Sequence, residues 1–385
     1  MKNLPLFNKN DKNVRNPNID CIRIIGMFAI IIHHLIVHGG ALAKFRLFSK
    51  QILLLNIFCM WHVSSFGIIS GLVLNKKQKF SNLLYLWILV IFYSSVFYIK
   101  YNKAIIPRGY FNHGVLVKKF SFFDSNFENF LFPVIHKEYW YFTAYFGIYP
   151  FLSFIKAGTS NIIRVEQKKS IYFMIGIFII WSSIYKDNFG QQYGYSSFSL
   201  LIFYIVGVYI GKYIFYRNLS IKCRYLTCIT CFFIFIMVSL ICYYINIIDY
   251  FPKLNLKIKN LFKVRINSFP MLIQVITIII FIAQIKFNYH FSWIITFIGP
   301  LTFDIYLIHE NPFIKNKYIR KTFNREGNNL NLIISILLIA KKSAYLFIIC
   351  FFIAYIRNII FRFFKVRTIC ANFEKITTKI IDYLI

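Results

Sequence analysis

The chain predicts an all-α integral membrane fold, a polytopic bundle of about ten transmembrane helices, from its composition, its apolar runs and the placing of its charges. Of its 385 residues, 58% are hydrophobic, 20% aromatic and 15% charged, whereas soluble domains carry roughly 25% charged residues. Mean hydropathy is +0.59. Apolar runs close to the length that crosses a bilayer recur to the end of the chain, so one integral domain is expected. The net charge of +32, from 45 Lys+Arg against 13 Asp+Glu, lies in clusters between the apolar runs and forms no single stripe. That pattern points to anionic membrane lipids and an anionic cofactor or lipid-linked substrate, and away from nucleic acid.

The spans fall near 19–38, 51–74, 82–99, 138–155, 170–185, 195–215, 225–248, 268–286, 292–313 and 343–361. Residues 1–18 form a polar N-terminal arm, 19–363 the transmembrane domain and 364–385 a basic C-terminal tail. The first span lacks a small-residue cleavage site and is expected to remain as a span. Asn18 reads as its N-cap, and Asp20 stands three residues before Arg23 on the same face. Asn331 to Ala340 is apolar but ends in Lys341-Lys342, so it reads as an interfacial helix ahead of the final span. Basic residues such as Lys76, Lys77, Lys79, Lys168, Lys169, Arg362 and Lys365 place both termini in the cytoplasm, although the outer loops are basic too. The long connection from Lys100 to Lys137 is rich in aromatics, with His113 and His136, and suits an interfacial cap or sugar stacking. Cys228 and Cys231 have a C-x2-C spacing inside an apolar run without a second pair, and read as small apolar residues; no metal site is expected.

Ionisable groups within a span are costly and are functional candidates. Arg23 and His34 are eleven residues apart, within about 20° of three full turns and roughly 16 Å along the axis. They share a face and point to opposite membrane surfaces. Arg23 also reads as a snorkelling anchor and His34 as a satisfied structural histidine. His33 stands about 100° around the helix and is expected to point elsewhere, and His38 is secondary. Ser70 and Gly71, in a run of small residues, allow close approach of either a helix or a slender substrate. Trp140 opens an aromatic segment, and Asp304, Tyr306, His309 and Glu310 lie in the ninth span.

Four segments in order resemble the membrane-bound acyltransferase family 3: Asn18-Ile19-Asp20 through Arg23…His34, Ile69-Ser70-Gly71, Tyr139 to Tyr145, and Phe303 to Pro312. The resemblance spans nearly the whole chain. It implies transfer of acetyl from cytoplasmic acetyl-CoA to a hydroxyl of a bacterial surface polysaccharide (O-antigen, capsule or exopolysaccharide), lipid-linked or nascent, at the bacterial cytoplasmic membrane. By position His34 corresponds to the family's essential histidine, acting as general base or transient acyl acceptor, and Arg23 to its basic partner, holding a phosphate of the donor. Ser70, Gly71, Trp140, Tyr306 and His309 are the expected substrate contacts. Tyr145 stands where many members carry glutamate, and Asp304 where glycine is usual. A flippase, glycan polymerase or transporter shares this composition, but neither paired internal repeats nor a large arginine-centred outer loop is seen.

Overall fold

A computed structural model describes residues 15–73, 79–102, 111–112, 115–116, 133–134, 139–161, 164–185, 190–215, 219–246, 255–320, 322–324, 326 and 331–384. The fold is an all-α membrane bundle. Its described strands are Phe111–Asn112 and Val115–Leu116, a two-residue antiparallel ladder. Among the described residues seven segments are long and apolar enough to cross a membrane, while Phe269–Ala283 is apolar but shorter. Most of the Lys100–Lys137 connection, with His113 and His136, and most of the N-terminal arm lie outside the described residues.

The helices that position the site are α1 (Pro17–Val37), α2 (Ser49–Cys59), α3 (His62–Leu72), α4 (Phe80–Asn102), α5 (Trp140–Ile148), α6 (Ser197–Ile210), α7 (Phe269–Ala283), α8 (Thr302–Glu310), α9 (Leu332–Phe363) and α10 (Val366–Leu384). Helix α1 is central. Its Met27, Ile31 and Leu35 pack into a core with residues of α4, α8 and α9. Its Ile19, Ile22 and Ala29 pack into a second core with residues of α3, α6 and α7. A helix apolar all round belongs between such layers, and the polar groups it carries are thereby withdrawn from lipid.

The start of α1 differs from the expectation. Asn16, not Asn18, is the N-cap, its side chain accepting from Asn18 N–H and Ile19 N–H. Pro17 occupies the first helical turn, where its fixed φ and missing N–H cost nothing, so the cap precedes it. Asn18 instead donates from Nδ2 to the carbonyls of Ile282, at 2.6 Å, and Ile285, at 2.8 Å. It thereby pins α1 to the end of α7.

Helices α1 and α8 run side by side in the same direction. At one end Gly299, just before α8, packs on Asp20 so closely that a Cβ would stand 2.5 Å from the carboxylate carbon. At the other end Glu310 meets His34. The Asp20 end of the bundle is its inner end in the orientation expected from the basic loops.

The final span also departs from the expectation. No break separates an interfacial helix from the last span: α9 is continuous over 32 residues, about 48 Å and well beyond a hydrocarbon core of about 30 Å. Lys342 is satisfied in place. Its ammonium donates to the Thr322 carbonyl at 3.0 Å and pairs with Glu326 at 2.5 Å. A span with spare length can carry these lysines outside the hydrocarbon without ending the helix. After Phe364 and Lys365 the chain re-enters helix as α10, where the basic tail was expected, with Glu374 accepting the N–H of Phe80 at the start of α4.

Candidate active site

Arg23, His33, His34, Met60, His62, Phe66, Trp140, Tyr141, Tyr195, Thr302, Phe303, Tyr306 and Glu310 line one cavity beside α1. Both ends of the Arg23–His34 pair therefore face the same space, as the eleven-residue spacing requires.

At the inner end Asp20 is buried, with 1% exposure. It accepts from Arg23 Nη1 at 2.7 Å, three residues along the helix, and from Arg15 Nε and Nη2 at 2.8 and 2.7 Å. One carboxylate shared by two guanidiniums leaves one net positive charge at this end. Arg23 uses one of its five N–H donors on Asp20, and the fork keeps donors for an anion in the cavity.

At the other end His34 Nδ1 lies 2.7 Å from Glu310 Oε1. Glu310 Oε2 is held by Lys315 Nζ at 3.1 Å. The two atoms are close but not aligned as a hydrogen bond, so the contact is electrostatic: the carboxylate favours a proton on the near nitrogen, which leaves the lone pair of a neutral ring on Nε2. This is the arrangement in which an oriented imidazole acts as general base and its carboxylate partner stabilises the imidazolium that forms. Sequence reasoning saw Glu310 only as half of a His-Glu pair. Its partner is 276 positions away in the chain, and only the parallel packing of α1 and α8 reveals it.

His309 is fully buried beside this pair and does not line the cavity. Its Nδ1 lies 2.7 Å from the Ile305 carbonyl, one turn back. Its ring is 5.4 Å from that of His34, so it buttresses the base from behind. His33 corrects the sequence reading: it lines the same cavity, its Nδ1 lies 2.7 Å from Asn56 Oδ1, and its ring is 5.2 Å from that of His62. The cavity curves round α1 far enough to meet two faces about 100° apart. His62 was missed by sequence reasoning. It is 2% exposed, and neither of its ring nitrogens has a hydrogen-bond partner among the described residues. His38, exposed at the end of α1, keeps its ring 5.5 Å from that of His34.

His34, His309 and Glu310 bring three metal-ligating atoms within 4.8 Å of one another. A tetrahedral zinc ion asks for neighbours roughly 3.3 Å apart, from bonds of about 2.0 Å, whereas His309 Nε2 stands 3.9 Å from Glu310 Oε1. The Lys315 ammonium on the same carboxylate also opposes a cation, so the cluster fits acid–base work better than a metal.

The aromatic wall is built from α5 and α8. Trp140 meets Tyr195 edge-on, with ring centroids 4.7 Å apart. Tyr306 stacks on Phe303 at 5.9 Å, and its hydroxyl accepts the N–H of Tyr141 at 3.3 Å. Tyr195 reaches this place from a turn in which Gln192 and Tyr193 both have positive φ, near 50° and 55°. That backbone is disfavoured for residues other than glycine and is held here by its surroundings. Trp140 and Tyr306 thus both line the cavity.

Ser70 and Gly71 do not line it. Ser70 donates to the Phe66 carbonyl at 2.8 Å within its own helix. A Cβ on Gly71 would stand 2.1 Å from the Tyr204 carbonyl oxygen, and one on Gly207 2.0 Å from that of Ile68. These glycines let α3 and α6 pack backbone to backbone. Of the two approaches the small residues allowed, the structure shows the helix. Asp304 lies outside this cavity as well, in a pair with Arg357 and with Tyr93, whose hydroxyl donates to it at 2.8 Å. All eight cysteines are free, Cys228 and Cys231 included.

One cavity thus joins Arg23 to a half-buried His34 whose Nδ1 lies 2.7 Å from the Glu310 carboxylate. The family model described as an acyltransferase domain, acyltransferase family 3, matches residues 16–355. The chain belongs to that family. No curated protein and no solved structure matches it. As a member of acyltransferase family 3 it is a multi-pass membrane acyltransferase, and the matched region contains both Arg23 and the His34–Glu310 pair.

Proposed function

We propose that this acyltransferase moves an acetyl group from cytoplasmic acetyl-CoA to a hydroxyl of a bacterial surface polysaccharide, an O-antigen, capsule or exopolysaccharide chain in lipid-linked or nascent form. The reading places it in the bacterial cytoplasmic membrane with both termini in the cytoplasm. The observation that carries it is the single cavity with a carboxylate-oriented His34 at one end and a partly neutralised Arg23 at the other.

In this reading the donor enters at the inner end, where Arg23 takes a phosphate of the coenzyme. The acyl thioester reaches towards His34. Nε2 of His34 removes the proton from the acceptor hydroxyl as its oxygen attacks the thioester carbonyl. Glu310 steadies the imidazolium, and the proton passes to the departing thiolate. Trp140, Tyr195 and Tyr306 offer flat apolar faces of the kind that stack on sugar rings. Transfer through a transient acetyl-imidazole uses the same residues: Nε2 of His34 attacks the thioester carbonyl and expels the coenzyme thiolate, and the acceptor oxygen then attacks the acetyl carbonyl, breaking its bond to Nε2, which takes up the hydroxyl proton.

The test is acetyl transfer by the purified protein in nanodiscs, with labelled acetyl-CoA and isolated surface glycan. Wild type is expected to acetylate the glycan. His34→Ala is expected to lower the rate about 10²- to 10⁴-fold, the range for a positioned base, with an unchanged elution profile. A His34→Ala protein of full activity overturns the assignment, and wild type that moves glycan across the bilayer without acetylating it favours the flippase reading.

A further inference from the structure

A second cavity lies on the other side of α8, lined by Asn82, Tyr85, Asp304, Arg357, Asn358 and Arg367 among others. Its floor is buried: Asp304 is 1% and Arg357 3% exposed. Its mouth, at Asn82 and Arg367, is exposed. The cavity includes Pro300 and Leu301, next to the Gly299 that packs on Asp20, and so belongs to the inner end of the bundle.

Two arginines against one aspartate give this lining a net positive charge. Tyr85 fixes both arginines. Its hydroxyl accepts from Arg357 Nη1 at 2.9 Å, and the guanidinium carbon of Arg367 lies 4.3 Å over its ring. Arg357 also pairs with Asp304. Its Nε is buried with no hydrogen-bond partner among the described residues. A buried guanidinium donor without an acceptor costs free energy that a ligand oxygen would recover. The amides of Asn82 and Asn358 add neutral donors beside it.

We infer that this cavity is a second binding site, taking a phosphate-bearing anion on Arg357 and Arg367. Arginine forks match the oxygens of a phosphate. The chemistry is common to an anionic lipid headgroup and to a soluble phosphate ester. Both have access to this end of the bundle, where α9 runs out of its apolar stretch and Arg362 and Lys365 follow.

The test reads binding, not turnover, and so stands apart from the proposed acyl transfer. Wild type and Arg367→Gln, in nanodiscs of phosphatidylcholine, are titrated with inorganic pyrophosphate at constant ionic strength and followed by thermal unfolding midpoint. The same pair is compared in nanodiscs containing one part phosphatidylglycerol to three of phosphatidylcholine. With a soluble ligand, pyrophosphate raises the wild-type midpoint, and its apparent Kd is weakened about tenfold in Arg367→Gln, the cost of one charge-assisted contact. With a lipid ligand, phosphatidylglycerol raises the midpoint where pyrophosphate does not, and the variant loses most of that rise. Should Arg367→Gln fail to purify as a single species, Asn82→Asp sets a repelling carboxylate at the mouth and carries the same comparison. No rise with either probe, or a rise that the variant leaves intact, overturns the proposal.

Discussion

Helix α8 carries two buried carboxylates six residues apart, and they meet opposite fates. Asp304 faces Arg357 and Tyr93 on one side, and Glu310 faces His34 and Lys315 on the other. Six residues turn a helix by about 240°, which sends the two side chains towards different neighbours. The difference lies in the partner. A guanidinium keeps its proton under all ordinary conditions, so the Asp304–Arg357 pair only holds charge. An imidazole, unlike a guanidinium, can give up and regain a proton, so the His34–Glu310 pair is able to move one. One helix thus presents a fixed ion pair and a proton-handling pair, and only the second opens on the cavity that Arg23 shares.

Two substitutions on opposite sides of α8 break the comparison directly. Glu310→Gln is expected to lower kcat about 10²- to 10⁴-fold, because the amide no longer stabilises the imidazolium and its NH2 group favours the wrong tautomer. The unfolding midpoint should move little by comparison. Initial-rate kinetics beside a thermal melt check both. Arg357→Met does the reverse. It leaves Asp304 buried without its cation, which is expected to cost about 3–5 kcal/mol of stability, and adding Asp304→Leu is expected to recover most of it. An Arg357→Met protein that melts like wild type would show that the two pairs are not different in kind.

The sequence carried much of this contrast, and its omissions share a cause. Arg23 and His34 fall on one face by helical period alone, and the Asp20–Arg23 bond follows from a spacing of three. Those are local rules. Glu310 and His34 meet only because α1 and α8 run parallel, and Asp304 finds Arg357 only because α9 packs on the far side. No pattern within one segment encodes either pairing. His33 was assigned away from the cavity because period gives a direction without giving the width of the space it points into. Gly71 shows the complementary limit. Small residues mark close approach, but whether the visitor is a substrate or Tyr204 of the next helix is a tertiary fact. Lys342 fell to the same limit, since the penalty for a charge in a span was reckoned without Glu326 and Thr322.

The smallest expected effect sharpens the comparison at the inner end. Arg23 resembles Arg357 in pairing with a buried aspartate, yet Asp20 has a second guanidinium, that of Arg15, at 2.7 Å. Removing Arg23 therefore leaves Asp20 paired, and Arg23→Ala should cost far less stability than Arg357→Met. Its effect should fall on donor use: KM for acetyl-CoA raised about tenfold, the worth of one lost ionic contact, with kcat nearly unchanged. Arg23→Lys keeps the charge without the fork and should sit between the two. The measurement is initial rate against acetyl-CoA concentration, with a thermal melt of each variant. A melt that falls as far as that of Arg357→Met, at unaltered KM, would move Arg23 into the class of fixed pairs and leave the His34 end as the sole chemical end of α1.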